Sequence, residues 1–462
     1  MEGMHHGDEP GSPGDSFQPG TRQTFTSGLG ALASMVGAAI GLGNFWRFPY
    51  LVGRFGGAAF VLFYLLVVVA IGVPALMAEW SLGRHTRRGT VGAYQRAGLR
   101  FGKPLGWFLF TVVLAANAYY TVAVGWVLCF ALAEIGNALG GEWTPAAVLP
   151  PAEGFDPRSF VLQIGFTAAV LLGAATILLS GLRSGIERAS RLLIPVLFGI
   201  LLVLIARSVT LPGAMAGIEW YVLKFRPEDL TGRVMVAALG QAVFSLALGG
   251  TFMVVYGSYL SSGQSLRSSA LWTASADTTA GLLAGFAIFP AVFALGLEPA
   301  SGPGLIFDTL PRMFDAMPAG AFFAFLFFVA LFSGALLSAV AAFEVLVAGL
   351  TDNTRLSRRQ AVALLTSAVL VLAIPPMINL RIFVPWDLTF GSGMQTLGAL
   401  MAVCTFAWVV DRSTALAQLS SGGERAAPLW LYYWLRFVVP GAILLVGMWW
   451  LVTEVLQATR AV

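Results

Sequence analysis

The run Gly37-Ala38-Ala39-Ile40-Gly41-Leu42-Gly43-Asn44-Phe45-Trp46-Arg47-Phe48-Pro49 sits inside an apolar segment long enough to cross a bilayer. Glycines at 37, 41 and 43 undermine a continuous helix there, and Asn44 adds a side-chain amide beside the break. Lipid does not satisfy unpaired backbone groups, so broken backbone at membrane depth is expected only where it lines a protected cavity. A helix opened in mid-membrane presents free carbonyls to a cation and free amides to an anion. A second stretch, Gln241-Ala242-Val243-Phe244-Ser245-Leu246-Ala247-Leu248-Gly249-Gly250-Thr251, carries its own small-residue break. Paired breaks at corresponding positions of two halves point to an inverted-repeat secondary transporter with its site at the midplane. The residues alone leave a second reading open, in which these glycines serve only close helix packing.

The elements that must hold these groups follow from composition. Of 462 residues, 57% are hydrophobic and 11% charged, against about 25% charged in soluble domains. The chain therefore reads as a polytopic membrane protein, and 53 glycines suit close helix packing and interrupted helices. The net charge of +4 is too small and dispersed for nucleic acid. Cys129 and Cys404 lie in apolar runs, and His5, His6 and His85 fall outside the expected spans, which excludes a buried histidine metal centre. Residues 1–20 are polar and read as a disordered cytoplasmic tail.

A span needs about 20 mostly apolar residues. Such windows fall near 26–48, 57–83, 105–137, 159–180, 188–207, 233–261, 267–296, 319–350, 358–376, 384–410 and 429–456, about eleven in all. Arginines sort the faces by the positive-inside rule. Arg84, Arg87, Arg88, Arg96, Arg100 and Lys103 follow the second window, Arg183, Arg188 and Arg191 flank the fifth, and Arg355, Arg358 and Arg359 precede the ninth. The opposite loop 139–158 holds Glu142, Glu153 and Asp156 against Arg158. This predicts a multi-pass protein of the plasma (inner) membrane with its N-terminus cytoplasmic and its C-terminus outside.

The chain resembles the neurotransmitter:sodium symporter family, whose bacterial members include LeuT-type amino acid transporters. The resemblance runs from Arg22 to about Leu451 and is carried by Gly41-Leu42-Gly43-Asn44-Phe45-Trp46-Arg47-Phe48-Pro49, Gly56-Gly57-Ala58-Ala59-Phe60, Glu79-Trp80-Ser81-Leu82-Gly83-Arg84, Tyr119-Tyr120 and Gly185-Ile186-Glu187-Arg188. Gly240-Gln241, Phe244-Ser245, Tyr256-Gly257-Ser258-Tyr259 and Leu356-Ser357-Arg358 match as well. It implies an all-α integral membrane fold, a 5+5 inverted repeat with discontinuous helices one and six. The transporter core would span 21–411, with repeats about 21–207 and 233–411, and 412–462 would add an eleventh helix in place of the family's usual twelve.

The resemblance implies two sodium sites. At the first, Ala39, Asn44, Ser245 and Asp277 match ligand positions, Asp277 standing where many relatives carry Asn. Chloride-dependent animal relatives place an anion beside this site, near the positions of Tyr64, Gln241 and Ser245. Asp277 could supply that fixed charge, making chloride unnecessary, and would take up a proton once sodium leaves, because an isolated buried carboxylate is costly to keep charged. A purely structural role, bonded to neighbouring hydroxyls, is the competing reading for Asp277. At the second site Gly37, Ile40, Gly334 and Ser338 match, but Leu337 stands where a hydroxyl is expected. That site is then weak or absent, unless a one-residue slip lets Ser333 substitute.

The same resemblance implies that a substrate carboxylate meets the amides of Leu42 and Gly43, the Tyr120 hydroxyl and the first sodium, and that its ammonium meets carbonyls from Ala39 and from Phe244 to Ala247. Gly41 stands where monoamine transporters carry an acid, which argues for a substrate that brings its own carboxylate, an α-amino acid. Ala116, Phe244, Ala247, Gly250, Ser338 and Ala342 match the side-chain pocket. Several of these positions are larger in a leucine-binding relative, which predicts a bulky hydrophobic or aromatic side chain here, unless neighbouring helices fill the space. Arg47 and Asp387 match an outer gate, Arg22 and Asp352 an inner gate with Ser258 and Tyr259 nearby, and Glu79 a support for the opened helices. Glu344 receives no role beyond a hydrogen bond to a neighbouring helix. The competing classes are a non-transporting receptor on the same fold and an integral membrane enzyme. The latter lacks a His or Cys pair to build a nucleophile with its base.

Overall fold

Apolar runs in lipid have no water to satisfy their peptide groups, so they close those bonds within helices. In the computed structural model, which describes residues 23–299, 302–420 and 426–456, every described element is a helix. The chain runs α1 Gly28–Ala39, α2 Gly43–Phe55, α3 Ala58–Thr86, α4 Thr90–Arg96, α5 Gly102–Ala138, α6 Pro157–Leu179 and α7 Leu182–Val209. It continues with α8 Gly232–Ser245, α9 Phe252–Ser258, α10 Leu266–Ala294, α11 Thr309–Asp315, α12 Gly320–Asn353, α13 Arg358–Ile378, α14 Leu380–Val409, α15 Arg412–Leu419 and α16 Leu429–Thr453. Among the described residues nine helices are long and apolar enough to cross a membrane, and α1 with α2 forms a tenth span bent by 54° at its break. The short pair α8 and α9 stands where the sequence suggests one further interrupted span.

Local sequence sets the ends. Ser27 caps α1 by accepting from the Gly30 amide, and Ser357 with Gln360 forms a capping box at the start of α13. Asn379 caps α14, accepting from the Ile382 amide at 3.1 Å. α5 and α12, of 37 and 34 residues, pack against each other in the interior, whereas α7 and α16 leave most of their apolar surface outside, as lipid-facing helices do.

Several bounds differ from the sequence reading. The first span continues through Pro49 to Phe55. α4 and α15 are short helices in segments read as loops. α3 runs to Thr86, so His85, expected outside the spans, lies in its last turn. The 1–20 tail and Arg22 lie outside the described residues.

Candidate functional site

The two breaks face each other, and side chains take the places of the lost helical partners. At the first, Ile40 turns extended, the Gly41 amide donates to Asn44 Oδ1 at 3.0 Å, and the Leu42 amide donates to the Tyr120 hydroxyl at 3.3 Å. Gln241 Nε2 donates to the Gly43 carbonyl at 3.1 Å. At the second, Ala247, Gly249 and Thr251 all take positive φ. Gly249 combines φ +83° with a Cβ position that would collide with the Gln395 carbonyl, so no side chain fits there. Its amide donates to Glu79 Oε1 at 2.8 Å. Glu79 is fully buried on α3. An acid so placed satisfies opened backbone, as expected for it at helix six; its bond is to that break and not to the first.

Asn44, Ser245 and Asp277 come together between α2, α8 and α10. Asn44 Nδ2 donates to Asp277 Oδ1 at 2.8 Å and to the Asp277 carbonyl at 2.9 Å, and lies 3.2 Å from Ser245 Oγ. The Ser245 hydroxyl donates to Asp277 Oδ2 at 2.7 Å. All three are buried. The Tyr64 hydroxyl lies near Ser245 and Thr278 at the edge of this cluster. Gln241, grouped with Tyr64 in the sequence reading, uses its amide nitrogen on Gly43 instead, and its Oε1 has no partner. The nook thus holds one carboxylate among neutral oxygens. Among the described residues no three His, Cys, Asp or Glu side chains cluster; an all-oxygen set of this kind suits a hard cation.

The residues matched to the second cation position meet where α1, α7 and α12 cross. The Ile40 carbonyl lies 3.6 Å from the Cβ position of Gly334, and Leu337 Cδ1 lies 3.2 Å from that of Gly37. Leu337 therefore presents a methyl to the nook. Ser333 does not replace it, because its hydroxyl donates back to Val329 within its own helix at 2.8 Å. Ser338 faces Gly41 and the Tyr120 hydroxyl. Ser190 of α7, which the sequence reading passed over, brings a buried hydroxyl 3.0 Å from the Cβ position of Gly37.

Between the breaks lies a cavity of about 50 Å³ whose lining includes Ala39, Leu42, Gly43, Ala116, Tyr120, Phe244, Ala247, Ser338 and Ala342 of the expected substrate residues, but not Ser245. Its lining, among the described residues, contains no Asp, Glu, Lys or Arg. Gly41 is where a side chain would intrude: its Cβ position is 2.7 Å from the Tyr120 hydroxyl. Gly250 is not on the lining. The Phe252 ring packs over it, in the space a Cβ would take, and Phe252 itself lines the cavity. A neighbouring ring has thus occupied the room that Gly250 leaves. Val113, Asn117 and Gln395 also line the cavity and were not foreseen; the only sequence signal for Asn117 was an amide in an apolar run beside the Tyr119-Tyr120 pair.

The two ends of the bundle differ. Beyond Phe244 a cavity of about 950 Å³ opens, bordered by Arg47, Arg54, Asp229 and Arg233. The expected Arg47–Asp387 pair is not formed: Arg47 donates to Ser392 Oγ at 2.9 Å and lies over the Phe244 ring at 4.4 Å, while Asp387 faces the Tyr119 hydroxyl. Beside this wide cavity each charge has its own neighbour. At the arginine-rich end, Asp352 accepts from the Gly89 amide at 2.7 Å, its expected partner Arg22 lying outside the described residues. The Tyr259 hydroxyl donates to Glu344 at 2.7 Å, and Arg358 Nη2 pairs with the same carboxylate at 2.6 Å. Glu344 therefore ties α12 to α13 and to the segment after α9. Glu187 accepts from the Thr26 amide at 3.1 Å and pairs with Arg191, fixing the start of α1 against α7.

Residues 22–146 and 161–459 match the Sodium:neurotransmitter symporter family. An uncharacterized sodium-dependent transporter of Haemophilus influenzae is 33% identical, covering 92% of this chain and 97% of the relative. One of Bacillus subtilis is 32% identical, covering 91% and 96%. The solved structure of MhsT in complex with L-phenylalanine is 32% identical and superposes with a TM-score of 0.79, over 92% of this chain and 99% of MhsT.

Proposed function

Since the chain belongs to the sodium:neurotransmitter symporter family, we propose that this sodium-dependent membrane transporter carries an α-amino acid with a bulky hydrophobic or aromatic side chain, without need of chloride. It shares the LeuT-type fold of MhsT, and its relatives are transporters rather than enzymes. The observation that carries the substrate reading is the neutral lining of the central cavity. A Gly41 without a side chain leaves no acid to meet a lone amine, while the Leu42 amide and Tyr120 hydroxyl stand together where a carboxylate would dock. A zwitterion supplies that carboxylate, and a cation beside Ala39, Asn44, Ser245 and Asp277 would balance it. Coupling follows, because each charge lowers the cost of burying the other.

Side-chain size is supported by the small walls Ala116, Ala247 and Ala342 and by the L-phenylalanine with which MhsT was solved. A cavity of about 50 Å³ holds only a few waters, so an aromatic side chain requires the Phe252 or Phe244 ring to swing. Chloride independence is supported by Asp277, a fixed charge already bonded to Asn44 and Ser245. Residues Arg47, Asp387, Arg22, Asp352 and Tyr259 would alternate as gates, the wide cavity marking the open side. The arginine-rich loops support an orientation in an inner membrane with the N-terminus cytoplasmic and the C-terminus outside.

Uptake of a panel of labelled amino acids into proteoliposomes, under inward gradients of sodium, lithium or potassium with and without chloride, tests all three parts. Flux of one large apolar amino acid driven by sodium alone, unchanged in gluconate, is the expected result. Preference for glycine, or flux that stops without chloride, overturns the corresponding part.

A further inference from the structure

Asn117 is 1% exposed, on α5, and borders the central cavity. Neither its Nδ2 nor its Oδ1 has a hydrogen-bond partner. Buried polar groups are nearly always paired, and an orphaned amide costs its full desolvation. Leaving both ends of one amide unpaired beside a ligand cavity is therefore a demand on whatever fills that cavity.

Position defines the demand. Val113, Ala116, Asn117 and Tyr120 follow the spacing of one helix face, and all four line the cavity. Tyr120 meets the Leu42 amide, at the end where the carboxylate would dock. Asn117 lies one turn away from it, about 4.5 Å along the axis. An amino acid held at Tyr120 would thus direct its side chain past Asn117. The nearby lining from Val113, Phe252 and Ala342 is apolar and cannot satisfy the amide. Gln395, the other amide on the lining, also borders the wide outer cavity.

We propose that Asn117 selects the side chain of the transported amino acid, favouring an aromatic body that carries a neutral hydrogen-bonding group over its hydrocarbon analogue. A phenol hydroxyl meets the requirement best, because its proton can go to Oδ1 while its oxygen accepts from Nδ2. An indole N–H satisfies Oδ1 alone. A site built for a hydroxyl rejects the analogue lacking it far more strongly than a methylene misfit can achieve. This proposal rests on the transported substrate being an amino acid.

Isothermal titration of the purified full-length protein in sodium buffer with matched ligands tests it: tyrosine against phenylalanine, and tryptophan against naphthylalanine. Tyrosine should bind at least about tenfold more tightly than phenylalanine, and tryptophan about threefold more tightly than naphthylalanine. In Asn117→Leu, of nearly the same shape, the order should invert, phenylalanine gaining and tyrosine losing. Matched ligands that bind within about twofold of each other show that water satisfies the amide, and they overturn the proposal. So does an Asn117→Leu protein that weakens every ligand equally. Should that variant not fold, the wild-type pairs decide alone. Sodium-dependent binding that ignores the pairs removes only the role of Asn117; no amino acid binding in sodium removes the substrate reading with it.

Discussion

Two nooks beside the first helix break, matched to two cation positions, have opposite chemistry. Around Asn44, two side chains from two helices, Asn44 and Ser245, converge on the Asp277 carboxylate of a third, with bonds of 2.8 and 2.7 Å. Around Gly37 and Gly334 the same helix break offers backbone carbonyls, but Leu337 fills the side-chain position and the one unforeseen hydroxyl comes from Ser190. The contrast teaches that an opened helix is only half of a cation site. Carbonyls alone do not make a charge worth burying; the side chains opposite them decide whether the desolvation of an ion is offset. On this reading sodium coupling runs mainly through the Asp277 nook.

The largest effect should come from the polar nook. Asp277→Asn is expected to lower sodium-driven uptake in chloride-free medium about a hundredfold, since it removes the one fixed charge of a buried cluster. Initial rates in proteoliposomes would show it, and a full rate without chloride would break the contrast. Ser245→Ala, which deletes a bond to a charged group, should raise the sodium concentration for half-maximal uptake about tenfold. Converting the apolar nook should sharpen the comparison: Leu337→Ser is expected to move the Hill coefficient for sodium from about one toward two and to lower half-saturation about threefold. The smallest change belongs to Ser190→Ala, within about twofold in sodium dependence. A loss there as large as that of Ser245→Ala would mean that Ser190 stands in for the missing hydroxyl, and that the two nooks are alike after all.

Much of the site was legible because its demands are local. Glycines at 37, 41 and 43 beside Asn44, and the Gly249-Gly250 pair, point to broken helices in lipid-length segments, although close helix packing also uses glycine. Buried acids in such segments need partners, and Glu79, Asp277 and Glu344 all have them. Other features were not legible. Gly250 suggested open space, but Phe252, only two positions on, folds its ring across it. Arg47 was read with Asp387, yet its guanidinium finds Ser392 and Phe244. Asn117 and Ser190 are ordinary polar residues on long helices, and only packing turns them toward the cavity and toward Gly37.

The sequence by itself determined that the chain resides in a membrane and which family it joins, and it pointed to two breaks, because hydropathy, glycine content and motif order are properties of contiguous residues. Tertiary structure alone decided which polar groups answer one another. Asn44 meets Asp277 across 233 positions and Gly249 meets Glu79 across 170. A hydrogen bond is won or lost over a few tenths of an ångström, a distance fixed by the packing of helices remote in the chain.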